Sequence, residues 1–96
     1  METVSAAEGF SAMGSESRLE VLQTLVKAGH KGLAVGEIQK RTEIPGSTLA
    51  HHLKFLSAAD LILQEKQGRT IINRANFDHL ERLAAFILES CCLDEV

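Results

Sequence analysis

No apolar run in this chain approaches the roughly 20 residues needed to span a bilayer. The N-terminus also has neither the basic start nor the apolar core of a signal peptide. Membrane insertion and export are therefore not expected, and a cytoplasmic location is. The single proline, with 45% apolar and 24% charged residues, places the chain among globular proteins and away from low-complexity or disordered ones. Cysteine is confined to Cys91 and Cys92, and two adjacent cysteines cannot staple distant parts of one chain, so a disulfide scaffold is excluded and reduced thiols are expected. No glycine-rich phosphate loop, internal repeat, nucleophile with a neighbouring base or paired-carboxylate signature is present, so an enzyme is not expected and no cofactor is required. At 96 residues the length fits one domain spanning 1–96, since a chain this size affords a single hydrophobic core.

The net charge of -3 argues at first against nucleic acid, whose binding is driven by Lys and Arg releasing counterions from phosphates. Its distribution reverses that reading. Between Lys27 and Arg74 there are eight basic residues against four acidic ones, a net of +4, whereas both flanks are acidic. A basic middle and acidic ends suit a middle that meets DNA and ends that meet each other.

Apolar spacing predicts five helices and a hairpin. A weakly amphipathic helix over 3–13 ends near Gly14. Ser15 then caps a second helix, with Leu19, Leu22, Leu25 and Val26 on one face until Gly29 stops it. A glycine-rich link leads to a short helix from Val35 to about Thr42, and Glu43 to Gly46 form a turn. In the next segment Leu49, Leu53 and Leu56 make a buried stripe. Ser47, Thr48, His51 and Lys54 point outward as short or flexible donors, His52 partly inward. Extended runs over Leu61–Gln67 and Thr70–Asn73, split by Gly68-Arg69, read as a hairpin with a basic tip. Asn76 caps a last helix over 76–92 whose Phe77, Leu80, Leu83, Ala84, Ile87, Leu88 and Cys91 cover more than one face, which calls for a partner surface.

Two short helices joined by a tight turn, then a basic-tipped hairpin, is the order of a winged helix-turn-helix. The fold class expected is thus mainly α with a small β-hairpin. The major groove admits one helix whose outward side chains donate to base edges or phosphates. Ser47, Thr48, His51, His52 and Lys54 are the candidates there, with Lys66, Gln67 and Arg69 reaching the backbone or minor groove from the tip over a DNA-reading region of 35–74. His51 and His52 do not suit a metal, because neighbours on a helix point about 100° apart.

Arg18-Leu19-Glu20-Val21-Leu22, Glu37-Ile38, the run from Ser47 to Leu56 and Gly68-Arg69 together resemble the arsenic-repressor (ArsR/SmtB) family over about residues 10–92. The resemblance implies a homodimer joined through its first and last helices, binding double-stranded, two-fold symmetric operator DNA and repressing transcription until an inducer releases it. It also adds Arg18 to the DNA-contacting candidates. Many members carry a Cys-Val-Cys run where this chain has Ala34, Val35 and Gly36. Others hold zinc between the paired last helices, a set that Asp78, His79 and Asp94 only partly recreate. Cys91 and Cys92 resemble the arsenite-responsive branch, and thiolates suit soft ions. The inducer expected on that resemblance is trivalent arsenic or antimony, its third ligand coming from the partner chain, a small thiol or water. Glu89, Asp94, Glu95 and the helix dipole should raise the thiol pKa values, which disfavours redox sensing more than coordination. The alternatives are a repressor answering a zinc-type metal or thiol redox, or one with no inducer, its cysteines serving as packing.

Overall fold

A computed structural model describes residues 1–95. Its helices are α1 (Thr3–Met13), α2 (Glu16–Ala28), α3 (Val35–Thr42), α4 (Gly46–Ala58) and α5 (Phe77–Leu88). Three strands, β1 (Leu33–Ala34), β2 (Ile62–Gln67) and β3 (Thr70–Ala75), form an antiparallel sheet in the order β1-β3-β2.

Each boundary has a local cause. The Ser15 hydroxyl accepts from the Arg18 amide at 3.1 Å and starts α2. At the far end of α3, Glu43 adopts a left-handed conformation, and the Thr42 hydroxyl donates to the Ile38 carbonyl at 2.9 Å while accepting from the Ile44 amide at 3.3 Å. That closed turn sets where α4 begins. Asn76 does two jobs for α5: its carbonyl oxygen accepts from the His79 amide at 3.3 Å, and its side-chain amide donates to the Asp60 carbonyl at 2.9 Å, tying the start of α5 to the end of α4.

Val21, Leu22, Leu25, Ile38, Leu49, Leu53, Leu56, Leu61, Ile62 and Leu83 make the core, drawing on α2, α3, α4, the wing base and α5. Truncating one of its fully buried leucines, such as Leu25, removes about 2 to 5 kcal/mol of stability. α1 reaches α5 through Gly9: a Cβ there would lie 2.9 Å from a Leu83 methyl, so only glycine permits this approach without displacing the side chain.

Three expectations change. The buried stripe of α2 is Val21, Leu22 and Leu25, while Leu19 and Val26 are exposed; the stripe turns toward the surfaces of α3, α4 and β3 that cover it. The glycine-rich link contains a 3-10 turn (Gly29–Lys31) and β1, which pairs Leu33 with Asn73 and Ala34 with Ile72. Two residues are too few to show a period. Finally, the last helix stops at Leu88, not 92. Beyond it the backbone makes i-to-i−3 turns (Cys91 amide to Leu88 carbonyl, 2.9 Å; Glu95 amide to Cys92 carbonyl, 3.0 Å), and Cys92 is left-handed at φ 66°. Ser90, Cys91 and Cys92 are poor helix formers, and the acidic residues around them oppose the negative end of the helix dipole. Among the described residues no helix is long and apolar enough to cross a membrane.

Candidate nucleic-acid interface

α4 is held by Leu49, Leu53 and Leu56, all essentially inaccessible, which fixes its rotation about its own axis. Ser47, Thr48, His51 and Lys54 are consequently exposed together on its outer side. His51 stands edge-on to Phe55, ring centroids 4.8 Å apart. Phe55 itself is 47% exposed, a large apolar surface on the outer side of α4 that the stripe pattern did not single out.

His52 is half-buried, and its Nδ1 is buried with no hydrogen-bond partner among the described residues. Burial, then the nearby Arg18 and His51, push its pKa below the usual histidine value. Its neutral form is therefore favoured, and its burial sets it apart from the outward group.

Arg18 also departs from its neighbours. Its Nε donates to the Ala12 carbonyl, and its guanidinium carbon lies 5.3 Å from the Phe55 ring centroid. The side chain thus clasps the α1–α2 junction and stacks on α4, a bracing position. The structure places it beside the reading helix, half-buried against Phe55.

The wing carries Lys66, Gln67 and Arg69 at its tip, all exposed. Gly68, at φ 64°, supplies the left-handed residue that the Gly68-Arg69 turn requires. Along β2, Glu65 is neutralised locally: it accepts from Gln67 Nε2 at 2.8 Å and from Arg74 at 2.9 Å, and these bonds, Gln67 first, hold its carboxyl below the usual range. The acidic residue nearest the tip is thus paired within the hairpin, leaving Lys66 and Arg69 to present positive charge outward.

Sequence reasoning missed Asn73, the buried polar residue of the core, at 0% exposure. It lies in Ile71-Ile72-Asn73-Arg74-Ala75, and an Asn breaking an apolar run was the signal available. Its side chain joins the wing to β1 and hence to α3.

At the other end of the chain, the Cys91 and Cys92 sulfurs are 3.0 Å apart and both exposed. Hydrogen bonds from Cys91 and Glu95 push the Cys92 thiol up. Among the described residues no group of three or more His, Cys, Asp or Glu is clustered for a metal. The pair thus presents two neighbouring sulfurs at the surface beyond α5.

Two helices meeting at a closed turn, the second with a polar outer side, followed by a β2–β3 hairpin with a basic tip, define a winged helix-turn-helix. A family model described as a helix-turn-helix domain matches residues 13–65. YceK of Bacillus subtilis (strain 168), an uncharacterized HTH-type transcriptional regulator, is 38% identical over 64 residues, 67% of this chain and 63% of its own length. An ArsR-like transcriptional regulator from Rhodococcus sp. RHA1 superposes with a TM-score of 0.79 at 28% identity, covering 95% of this chain and 82% of that one. The homodimeric winged helix-turn-helix DNA-binding domain of a Mycobacterium bovis protein has a TM-score of 0.72 at 24% identity, covering 86% and 74%, and bears on the fold alone. The chain belongs to the ArsR family of winged helix-turn-helix transcriptional regulators, which are DNA-binding proteins and not enzymes.

Proposed function

We propose that this chain acts in the cytoplasm as a homodimeric repressor, its whole length forming one winged helix-turn-helix unit that binds operator DNA. Trivalent arsenic or antimony, held by Cys91 and Cys92, releases it. The observation that carries the DNA reading is the exposure of Ser47, Thr48, His51 and Lys54 on one side of α4 together with the exposed charges of Lys66 and Arg69 at the wing tip. α4 reads the major groove, and the wing holds the adjacent phosphates. Dimerisation through α1 and α5, supported by the exposed apolar side chains of Val4, Ile87 and Leu88, presents two reading helices to successive half-sites.

The inducer reading is supported by two exposed sulfurs 3.0 Å apart. A raised Cys92 thiol is a poor redox nucleophile but a competent ligand, since coordination itself drives off the proton. The cysteines sit in a turn beyond α5, so ion capture reorders the segment that follows the dimer helix. A coupling of about 1 to 3 kcal/mol to DNA binding gives 5- to 150-fold release.

The test is fluorescence anisotropy of a labelled fragment of this protein's own upstream DNA, with reduced protein bound, during titration with arsenite. Release at stoichiometric arsenite is expected, and Cys91→Ser with Cys92→Ser should keep DNA binding and abolish release. Tight binding that ignores arsenite would leave the repressor standing and remove the thiol inducer; release of the double serine variant would do the same.

A further inference from the structure

We infer that Asn73 is the positioning residue that fixes the wing relative to the helix-turn-helix. The inference rests on the reading of α4 and the wing as one DNA-binding surface.

The geometry begins at a weak point. β1 is two residues long and runs without a break into α3, so whatever fixes β1 against β3 also sets the wing against the paired helices. A strand that short has almost no side-chain pattern to specify its register, and a slip of one residue would turn Leu33 out of the core. Asn73 supplies the missing specification. In the sheet it faces Leu33 on one side and Gln64 on the other. Its Nδ2 donates to the Leu33 carbonyl at 3.4 Å and its Oδ1 accepts from Gln64 Nε2 at 2.8 Å, so one side chain spans all three strands in a single row.

A fully buried amide satisfied in only one register penalises every other, because a slip strands its donor and acceptor away from water. Such a group specifies arrangement more than it adds stability. Gly32 shows how closely the strands are drawn together here: a Cβ on it would lie 2.5 Å from the Asn73 carbonyl oxygen, and its φ is +67°. Arg74 makes a second tie, donating to the His30 carbonyl at 2.8 Å, but that bond is exposed and competes with water. Asn73, at 0% exposure, does not.

Asn73→Leu fills the same space without the amide. Gln64→Leu, at an exposed position, removes one of the two bonds with little risk to the fold. In the Cys91→Ser, Cys92→Ser background, nitroxide labels at Gln39 and Lys66, on α3 and the wing, report their separation by pulsed electron resonance. A narrow distance distribution is expected in the parent and a broadened or shifted one in both variants. On DNA, Arg69→Ala should cost about 10-fold in affinity in the parent and under 2-fold beside Asn73→Leu, because a wing already misplaced has no contact to lose. Rescue by a hydrogen-bonding Asn73→Gln is not expected, the longer side chain misplacing both bonds.

An unchanged distance distribution in both variants, or an undiminished Arg69 effect, overturns the assignment. Should Asn73→Leu fail to fold, Gln64→Leu decides on the same two readouts. If Arg69→Ala and Lys54→Ala leave DNA binding untouched in the parent, the DNA reading falls instead, and the label distances still decide whether Asn73 positions the wing.

Discussion

At the scale of single residues, His52 shows how one side chain can carry a pH dependence. Helix geometry turns it partly inward and its neighbour His51 outward, and the structure has them so, one exposed and edge-on to Phe55, the other with Nδ1 buried and without a partner among the described residues. Because burial, Arg18 and His51 lower its pKa in the folded state, the unfolded chain binds this proton more readily. The sign follows: His52 costs no stability well above pH 6.5, and stability falls as pH drops from the ordinary histidine value toward the lowered one, with no further loss from this group below it. Thermal melts at pH 7.5 and 5.5 should show a drop that shrinks in His52→Gln. An identical drop in the variant would assign the acid sensitivity to other groups.

Elements behave differently, because what matters is which side of each one is covered. The buried stripe of α4 was readable from Leu49, Leu53 and Leu56, and with it the outward side, since a 3.6-residue period fixes both at once. The wing was readable from Gly68 and the extended runs beside it. If the tip contacts phosphate, the log of affinity falls with the log of salt, and each lost contact lowers that slope by about 0.9. Lys66→Ala and Arg69→Ala should each show this loss in filter binding over a salt series, weakening all sequences alike. Thr48→Ala or His51→Ala should instead change which sequence is preferred, at about 1 to 3 kcal/mol for a good base contact. Equal effects on operator and random DNA from all four changes would reduce α4 to a backbone contact.

For the whole molecule, shape and uncovered surface point the same way. The radius of gyration is 14.8 Å and the extents 56 × 23 × 21 Å, whereas a rounded 96-residue protein has a radius of about 12.5 Å. The first and last helices also carry uncovered apolar residues: Val4 on α1 is 67% exposed, and Ile87 and Leu88 on α5 are 64% and 67%. A helix carrying such residues is stable in water when a second surface covers them. Ile87→Glu should halve the mass seen by sedimentation and weaken operator binding together, since one protomer engages one half-site. A full-mass dimer in that variant would move the interface away from α5.

The sequence by itself determined the limits of α1, α2 and α3, the caps at Ser15 and Asn76, the outward side of α4 and the basic wing tip, because each follows from interactions within a few residues or from a local period. Only the tertiary structure decided the rest, and in each case the cause lies far along the chain. β1 exists because β3, some forty residues later, pairs with it. The stripe of α2 is set by the helices and strand that pack on it, which leaves Leu19 and Val26 in the open. Arg18 is tied down because Ala12 and Phe55 receive it, and Asn73 acquires its task because Leu33 and Gln64 meet at its side chain. Cys91 and Cys92 are brought within 3.0 Å by a turn after α5, and adjacency in sequence does not specify that approach: neighbouring side chains on a helix diverge by about 100°.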